Sequence, residues 1–181
     1  NFCTENSISG VEEFAGLPGT VGGAVFMNAR CFDKSISDVI FSVSYQDYSD
    51  SKIKLHQELY NPQEWAYKKS PYQTGKKFIT TATFRLIQKN ASEQEKIRQE
   101  CKKYIAERVN KGHFKFPSAG SVFKNNRDFG KPSGMIIDEA GLRGLTCGGA
   151  KVADFHGNFI INTGNASARD IKNLVEEVQT K

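Results

Sequence analysis

Leu17-Pro18-Gly19-Thr20-Val21-Gly22-Gly23 is a stretch dense in turn residues. Glycines reach positive φ and let backbone N–H groups come close to an anion. A helix starting behind such a loop adds the positive end of its dipole. The combination suits a pyrophosphate. The lysine of a GxxxxGK[ST] loop is absent and the spacing is not GxGxxG. From spacing alone, a tight turn with no ligand fits at least as well. Ser121 follows Gly120 and on spacing reads as a turn serine bonded to its own backbone. A serine is a weak acid, so donating a proton would require a polarised surrounding and a short path. His156 reads as a structural histidine. The three histidines lie far apart, and Cys3, Cys31, Cys101 and Cys147 form no CxxC pair, so no metal site is expected. The thiols read as reduced and mostly buried. Asp138 and Glu139 are neighbours in a helix, point to different sides, and make no acid–base pair.

These groups sit on 181 residues with 25 Lys and Arg against 20 Asp and Glu, a net charge of +5. Thirteen Phe and six Tyr exclude a disordered polyampholyte. A chain this long buries about 70% of its unfolded surface and needs no staple. No apolar run can span a bilayer and no signal peptide opens the chain, so no membrane partner is expected. The basic residues are scattered and interrupted by Glu100 and Glu107, so the excess suits a small anionic ligand and no nucleic acid.

The elements that position these residues follow from periodicity. Ala24–Ala29 reads as a short apolar helix. Val39–Tyr45 alternates as a half-buried strand, with Lys52–Leu55 as its hairpin partner. Phe78–Leu86 alternates too, placing Phe78, Ala82, Phe84 and Leu86 on one face. Ser92–Val109 is the clearest helix, with Ile97, Cys101, Tyr104, Ile105 and Arg108 on its inner stripe and Ser92 as cap. A domain boundary is expected near 112, giving units 1–112 and 113–181. Pro132–Ala140 is a short helix leaving through Gly141. Phe159–Asn162 is a short strand. Ser167 and Asp170 form a capping box for a last helix with Ile171, Leu174, Val175 and Val178 on its apolar face. Strands and helices alternate without a βαβ rhythm, so the class is α+β.

The longer string Gly10-Val11-Glu12-Glu13-Phe14-Ala15-Gly16-Leu17-Pro18-Gly19-Thr20-Val21-Gly22-Gly23-Ala24-Val25-Phe26-Met27-Asn28-Ala29 closely resembles the flavin-binding signature of the UDP-N-acetylenolpyruvoylglucosamine reductase family. Tyr67-Lys68-Lys69-Ser70, Pro117–Asn125, Ala140-Gly141-Leu142-Arg143-Gly144, Gly148–Val152 and Asn158–Ala166 then fall in the family's order, so the resemblance covers nearly the whole chain. It implies part of an FAD-binding lobe of the PCMH/vanillyl-alcohol-oxidase type, followed by an incomplete, small α+β substrate-binding lobe. The implied reaction reduces the enolpyruvyl group of a UDP-sugar to UDP-N-acetylmuramate in peptidoglycan synthesis, with FAD bound and NADPH as cosubstrate. The setting it implies is a bacterial cytoplasm, and the protein a monomer. Against this stand another FAD oxidoreductase of the same superfamily and a catalytically impaired nucleotide-sugar or flavin-binding module.

Roles follow from the same resemblance. Ser121 is the proton donor. Lys68 stands where relatives usually carry arginine, and faces the substrate carboxylate and developing enolate; it keeps the charge and loses the planar fork. Leu17, Pro18, Gly19, Thr20, Val21, Gly22, Gly23 and Asn28 hold the cofactor. Tyr67, Lys111, Asn125 and Asn158 contact substrate. For Tyr67 the alternative is aromatic packing, and for Lys111 a helix-terminal lysine serving the dipole. The family's other glycine-rich flavin segment and its terminal glutamate strand have no match here. The chain therefore reads as the middle and late parts of such an enzyme, of the class without a tyrosine-bearing insertion, and is expected to bind FAD weakly and turn over poorly.

Overall fold

The structure, a computed structural model, describes residues 1–49 and 52–181. Helices combine with small antiparallel sheets, so the class is α+β. The chain divides into two compact units, Asn1–Ile105 and Ala106–Lys181. The division falls inside the longest helix, a few residues before the glycine at 112.

In the first unit, helix α1 spans Val21–Phe26, earlier than the expected Ala24–Ala29. The Thr20 hydroxyl accepts the Gly23 N–H at 3.0 Å, and this cap outweighs the poor propensity of Gly22 and Gly23. Asn28, at φ 40°, ends the helix. Its N–H reaches the Val25 carbonyl and the Ala29 N–H reaches that of Ala24, a complete Schellman pair. Val25 is fully buried and joins Ile40, Val43, Tyr45 and Tyr72 in the core.

Strands β1 (Ile40–Asp47), β2 (Lys54–Leu59) and β3 (Lys77–Phe84) form a sheet ordered β2-β1-β3. The hairpin partner thus runs further along the chain than Lys52–Leu55. Two register shifts interrupt the β1–β3 ladder. One leaves Thr80 unpaired in the ladder register, its hydroxyl donating to the Ser44 carbonyl, so the side-chain alternation slips by one residue. Ile79 packs on the core with Ala82 and Phe84, whereas Phe78 is 63% exposed. Period-two reading had put Phe78 inside.

Helix α2, Gln94–Asn110, follows a 3-10 turn over Ala91–Glu93. Asn90, not Ser92, caps that turn, in a box with Glu93. Ile97 is buried, and Arg108 is buried as well.

The second unit holds strands β4 (Ser118–Ser121), β5 (Thr146–Cys147), β6 (Ala150–Val152) and β7 (Phe159–Asn162), ordered β4-β7-β6-β5 and antiparallel throughout. Helix α3 spans Ser133–Glu139 and leaves through Gly141 at φ 69°. Helix α4 spans Ala168–Thr180, with the Ser167–Asp170 capping box in place. Leu174 and Val178 of α4 pack with Ile137, Val152 and Ile160; Ile171 stays partly exposed. All four cysteines are free and part-buried.

Asp170 also accepts the Gly149 N–H at 3.3 Å, which draws the β5–β6 turn onto the start of α4. A Cβ on Gly149 would meet the backbone of Asn165 and Ala166 within 3 Å. Gly149→Ala should therefore cost about 2–3 kcal/mol, as overpacking against rigid backbone does. Urea unfolding reads this directly, and an unchanged midpoint would refute the close approach.

Candidate functional site

The glycine stretch and the Lys68 turn belong to the first unit, and side chains stitch them together. Tyr67 and Lys68 are the central residues of a tight turn closed by hydrogen bonds between Ala66 and Lys69. The Asn28 carboxamide donates to the Ala66 carbonyl at 2.9 Å and accepts the Ser37 N–H at 3.0 Å. The Phe26 carbonyl, at the end of α1, accepts from the Ser70 hydroxyl at 2.7 Å and from Gln73 at 2.8 Å. Asn28 is 3% exposed. It holds α1 against the turn, and its amide group is already bonded to protein on both sides.

Lys68 has φ 56°, the left-handed region that glycine favours. Burial pulls its ammonium below the ordinary lysine pKa, and Cys31 opposes that in part. Tyr67 is partly exposed.

Leu17, Pro18, Gly19, Thr20 and Val21 line one side of a mostly apolar hollow of about 270 Å³, faced by Phe14, Ile36, Phe84 and Leu86. A dinucleotide needs a flat apolar seat beside backbone donors, and the residues fit that demand. The first-turn amides of α1 have no carbonyl within the helix to bond. A Cβ on Gly19 or Gly22 meets nothing within 4 Å. At Gly19, φ 114° explains the glycine. Gly22 has no such need, and a glycine inside a helix costs about 1 kcal/mol relative to alanine. The protein's own packing gives no reason for it.

In the second unit, Ser121, Asn125 and Asn158 line one hollow of about 240 Å³, with Pro132, Met135 and Phe155 among its walls. Ser121 is the exposed last residue of β4, opposite Phe159 of β7. Gly120 precedes it at φ 81°, which turns the strand end. Asn158 is 4% exposed; its carboxamide accepts the Phe123 N–H at 2.7 Å and donates to the Phe123 carbonyl at 2.8 Å. Asn125 accepts the Ser133 N–H at 2.9 Å and so caps α3 from a distance. Lys111 does not line this hollow; just past α2, it pairs with Glu107 at 2.5 Å.

Asp138, Arg143 and His156 line the Ser121 hollow too; the sequence gives Asp138 and Arg143 no role at a site and reads His156 as structural. Arg143 grips Asp138 through two nitrogens and donates a third hydrogen bond to the Asp154 carbonyl at 3.2 Å. Only the order of motifs along the chain hinted at this, since Arg143 and His156 stand in separate glycine-bearing segments. His156 is held below its ordinary pKa by burial, against the pull of the Asp138 carboxylate. Among the described residues, no group of three or more His, Cys, Asp or Glu is placed to hold a metal. No helix there is long and apolar enough to cross a membrane.

Comparison with known proteins finds relatives that match nearly the whole chain. Residues 112–181 match the family described as the UDP-N-acetylenolpyruvoylglucosamine reductase C-terminal domain. A UDP-N-acetylenolpyruvoylglucosamine reductase of Treponema denticola is 50% identical over 98% of this chain and 57% of its own length. The Borreliella burgdorferi protein of that name is 45% identical over 98% and 57%. A crystal structure of the reductase from Thermus caldophilus aligns with TM-score 0.83 at 33% identity, over 99% of this chain and 63% of that one. The chain belongs to the UDP-N-acetylenolpyruvoylglucosamine reductase family, and spans 57% of the length of these two curated relatives.

The Arg143 hydrogen bonds, first among the causes, hold the Asp138 carboxyl below the usual carboxylate range. A depressed folded pKa contributes stability above the unfolded value near 4, lost as pH falls through the folded value. Arg143→Gln should return the Asp138 titration toward that ordinary value and flatten the acid limb of stability. Carboxyl carbon NMR across pH 2–6 checks it, and an unmoved Asp138 would contradict the assignment.

Proposed function

We propose that this chain is the middle and late part of an FAD-dependent, NADPH-consuming reductase that converts UDP-N-acetylglucosamine enolpyruvate to UDP-N-acetylmuramate in peptidoglycan synthesis. The observation that carries the reading is Ser121, an exposed hydroxyl at a strand end, opening on a polar hollow shared with Asn125, Arg143 and His156. The first unit is then part of an FAD-binding lobe of the PCMH/vanillyl-alcohol-oxidase type, and the second a substrate lobe.

Bound FAD would supply the redox chemistry, passing a hydride from NADPH to the enolpyruvyl carbon. The protein's own groups do the rest. Gly19 and the first-turn amides of Val21 and Gly22 hold the cofactor's diphosphate, with Leu17, Pro18 and Thr20 shielding it from water. Gly23, bonded to Thr20, keeps that turn in shape. The Lys68 charge offsets the negative charge that gathers on the substrate carboxylate as hydride adds. The Ser121 hydroxyl gives its proton to the neighbouring carbon and regains one from water, completing the net addition of H⁻ and H⁺. Asn125 and Lys111 hold the UDP-sugar, Tyr67 packs beside it, and Asn158 fixes the Val122–Phe123 backbone between Ser121 and Asn125. A second reading, a flavin or nucleotide-sugar binding module that turns over poorly, is favoured by Lys68, because lysine cannot grip a carboxylate in two places.

Stopped-flow measurement on the flavin-loaded protein separates the readings. Ser121→Ala should leave flavin reduction by NADPH within about twofold, yet slow reoxidation by the enolpyruvyl sugar by at least about a hundredfold, as loss of a general acid does. Equal loss in both halves would remove the proton-donor role. A wild-type protein that binds FAD but is never reoxidised by the sugar would leave only the binding module.

Gly22→Ala offers a test that needs no turnover. The free protein should gain about 1 kcal/mol from helix propensity. FAD affinity should fall at least about tenfold as the new methyl group blocks the amides. Unchanged affinity would move the diphosphate elsewhere.

A further inference from the structure

Beyond Ser121 the chain leaves strand pairing, and the backbone of Val122 and Phe123 takes its partners from one residue. The Val122 N–H donates to the Asn158 carbonyl at 2.9 Å. The Phe123 N–H and carbonyl are both bonded by the Asn158 carboxamide. Asn158 is in turn held by His156, whose Nδ1 accepts the Asn158 N–H at 3.1 Å. The His156 ring lies 4.6 Å from the ring of Phe159, the residue paired with Ser121. On its other side it presses on the first turn of α3, where a Cβ on Gly134 would sit 3.2 Å from Cε1. The ring has little room to turn.

We propose that His156 is a positioning residue for Ser121, holding it through Asn158 and the Val122–Phe123 backbone. The inference rests on the proton-donor reading of Ser121 but reaches the residue by its own hydrogen bonds. For Nδ1 to accept, the proton of the neutral ring must sit on Nε2. Protonation turns Nδ1 into a donor facing another donor, and the hold on Asn158 is lost. The groups that act on His156 are Asp138, which favours the cation, and Arg143, Lys111 and His113, which oppose it; Asp154 lies on its own loop. Burial favours the neutral ring in the folded protein. The hold is therefore present above the ordinary histidine value near 6.5 and lost as pH falls through the lower folded value.

Amide hydrogen exchange on the intact protein tests this, read as protection factors so that the intrinsic pH dependence of exchange cancels. Val122 and Phe123 should lose protection at least about tenfold as pH falls through the His156 titration, followed by its ring proton shifts. His156→Phe keeps a ring against Phe159 but has no acceptor, and should show that loss at every pH. His156→Asn places an oxygen near the Nδ1 position without a titrating group. It should restore protection and remove the acid limb, a rescue that mere space filling does not explain. In single turnovers, His156→Phe should slow reoxidation by the enolpyruvyl sugar about tenfold or more and leave flavin reduction by NADPH near its wild-type rate. Undiminished Val122 and Phe123 protection in His156→Phe would overturn the proposal. Should that variant fail to fold, pH-independent protection in the wild type would overturn it equally. Exchange that responds as stated, in a protein that reduces no enolpyruvyl sugar, supports the hold on this segment and removes the reaction it was to serve.

Discussion

Backbone groups that leave helix or sheet pairing must still find partners, and burying them unpaired costs as much as losing a hydrogen bond. In both units a buried asparagine meets that demand. Asn28 bonds Ala66 with one end of its carboxamide and Ser37 with the other. Asn158 bonds both polar groups of Phe123 and so acts as a missing strand residue. A carboxamide carries donor and acceptor in one plane, which is what a stretch of peptide backbone presents. Aspartate would offer no donor and leucine neither group. Each asparagine thereby fixes an irregular segment that carries candidate chemistry, the Tyr67–Lys68 turn in one unit and the strand end at Ser121 in the other.

How far the fold was legible in the sequence depended on the range of the forces involved. The capping box at Ser167 and Asp170 and the glycine exit of α3 are local, and spacing was enough to find them. The apolar run Ala24–Ala29 does not mark the ends of helix α1, which the Thr20 cap and the Asn28 terminator set. Asn90 was overlooked for Ser92 because both suit a cap and only the Glu93 contact chooses between them. Phe78 was assigned inward since strict alternation cannot foresee the slip at Thr80, which arises from pairing with β1.

The candidate site was legible only in part, and for a related reason. Motif order supplied Ser121, Asn125 and Asn158, and these three do line one hollow. Their division of labour was not visible, since whether an asparagine meets a ligand or splints a loop depends on what surrounds its amide. Arg143 has no role legible in the sequence, and the structural reading of His156 names no partner, because Asp138 and Asn158 meet them only through the loop conformation. Gly157 shows the tightness of that corner: a Cβ there would strike both the Asp138 carboxylate and the Gly134 carbonyl, so only glycine lets the loop lie against α3.

Lys68 is where local cost and chemical demand are most plainly opposed. A non-glycine residue at φ 56° costs about 1–2 kcal/mol, and half-burying an ammonium adds a desolvation penalty. Glycine would remove both costs, and the Ala66–Lys69 bridge would still close the turn. The surroundings hold the turn in place from two directions, through Asn28 on Ala66 and through Gln73 on the Lys68 carbonyl at 3.1 Å. An unfavourable residue held by that much structure argues that its side chain is wanted for what it does there. A cation near the end of a short glycine-bearing helix, in a chain that otherwise scatters its positive charge, is a feature that neither packing nor propensity explains.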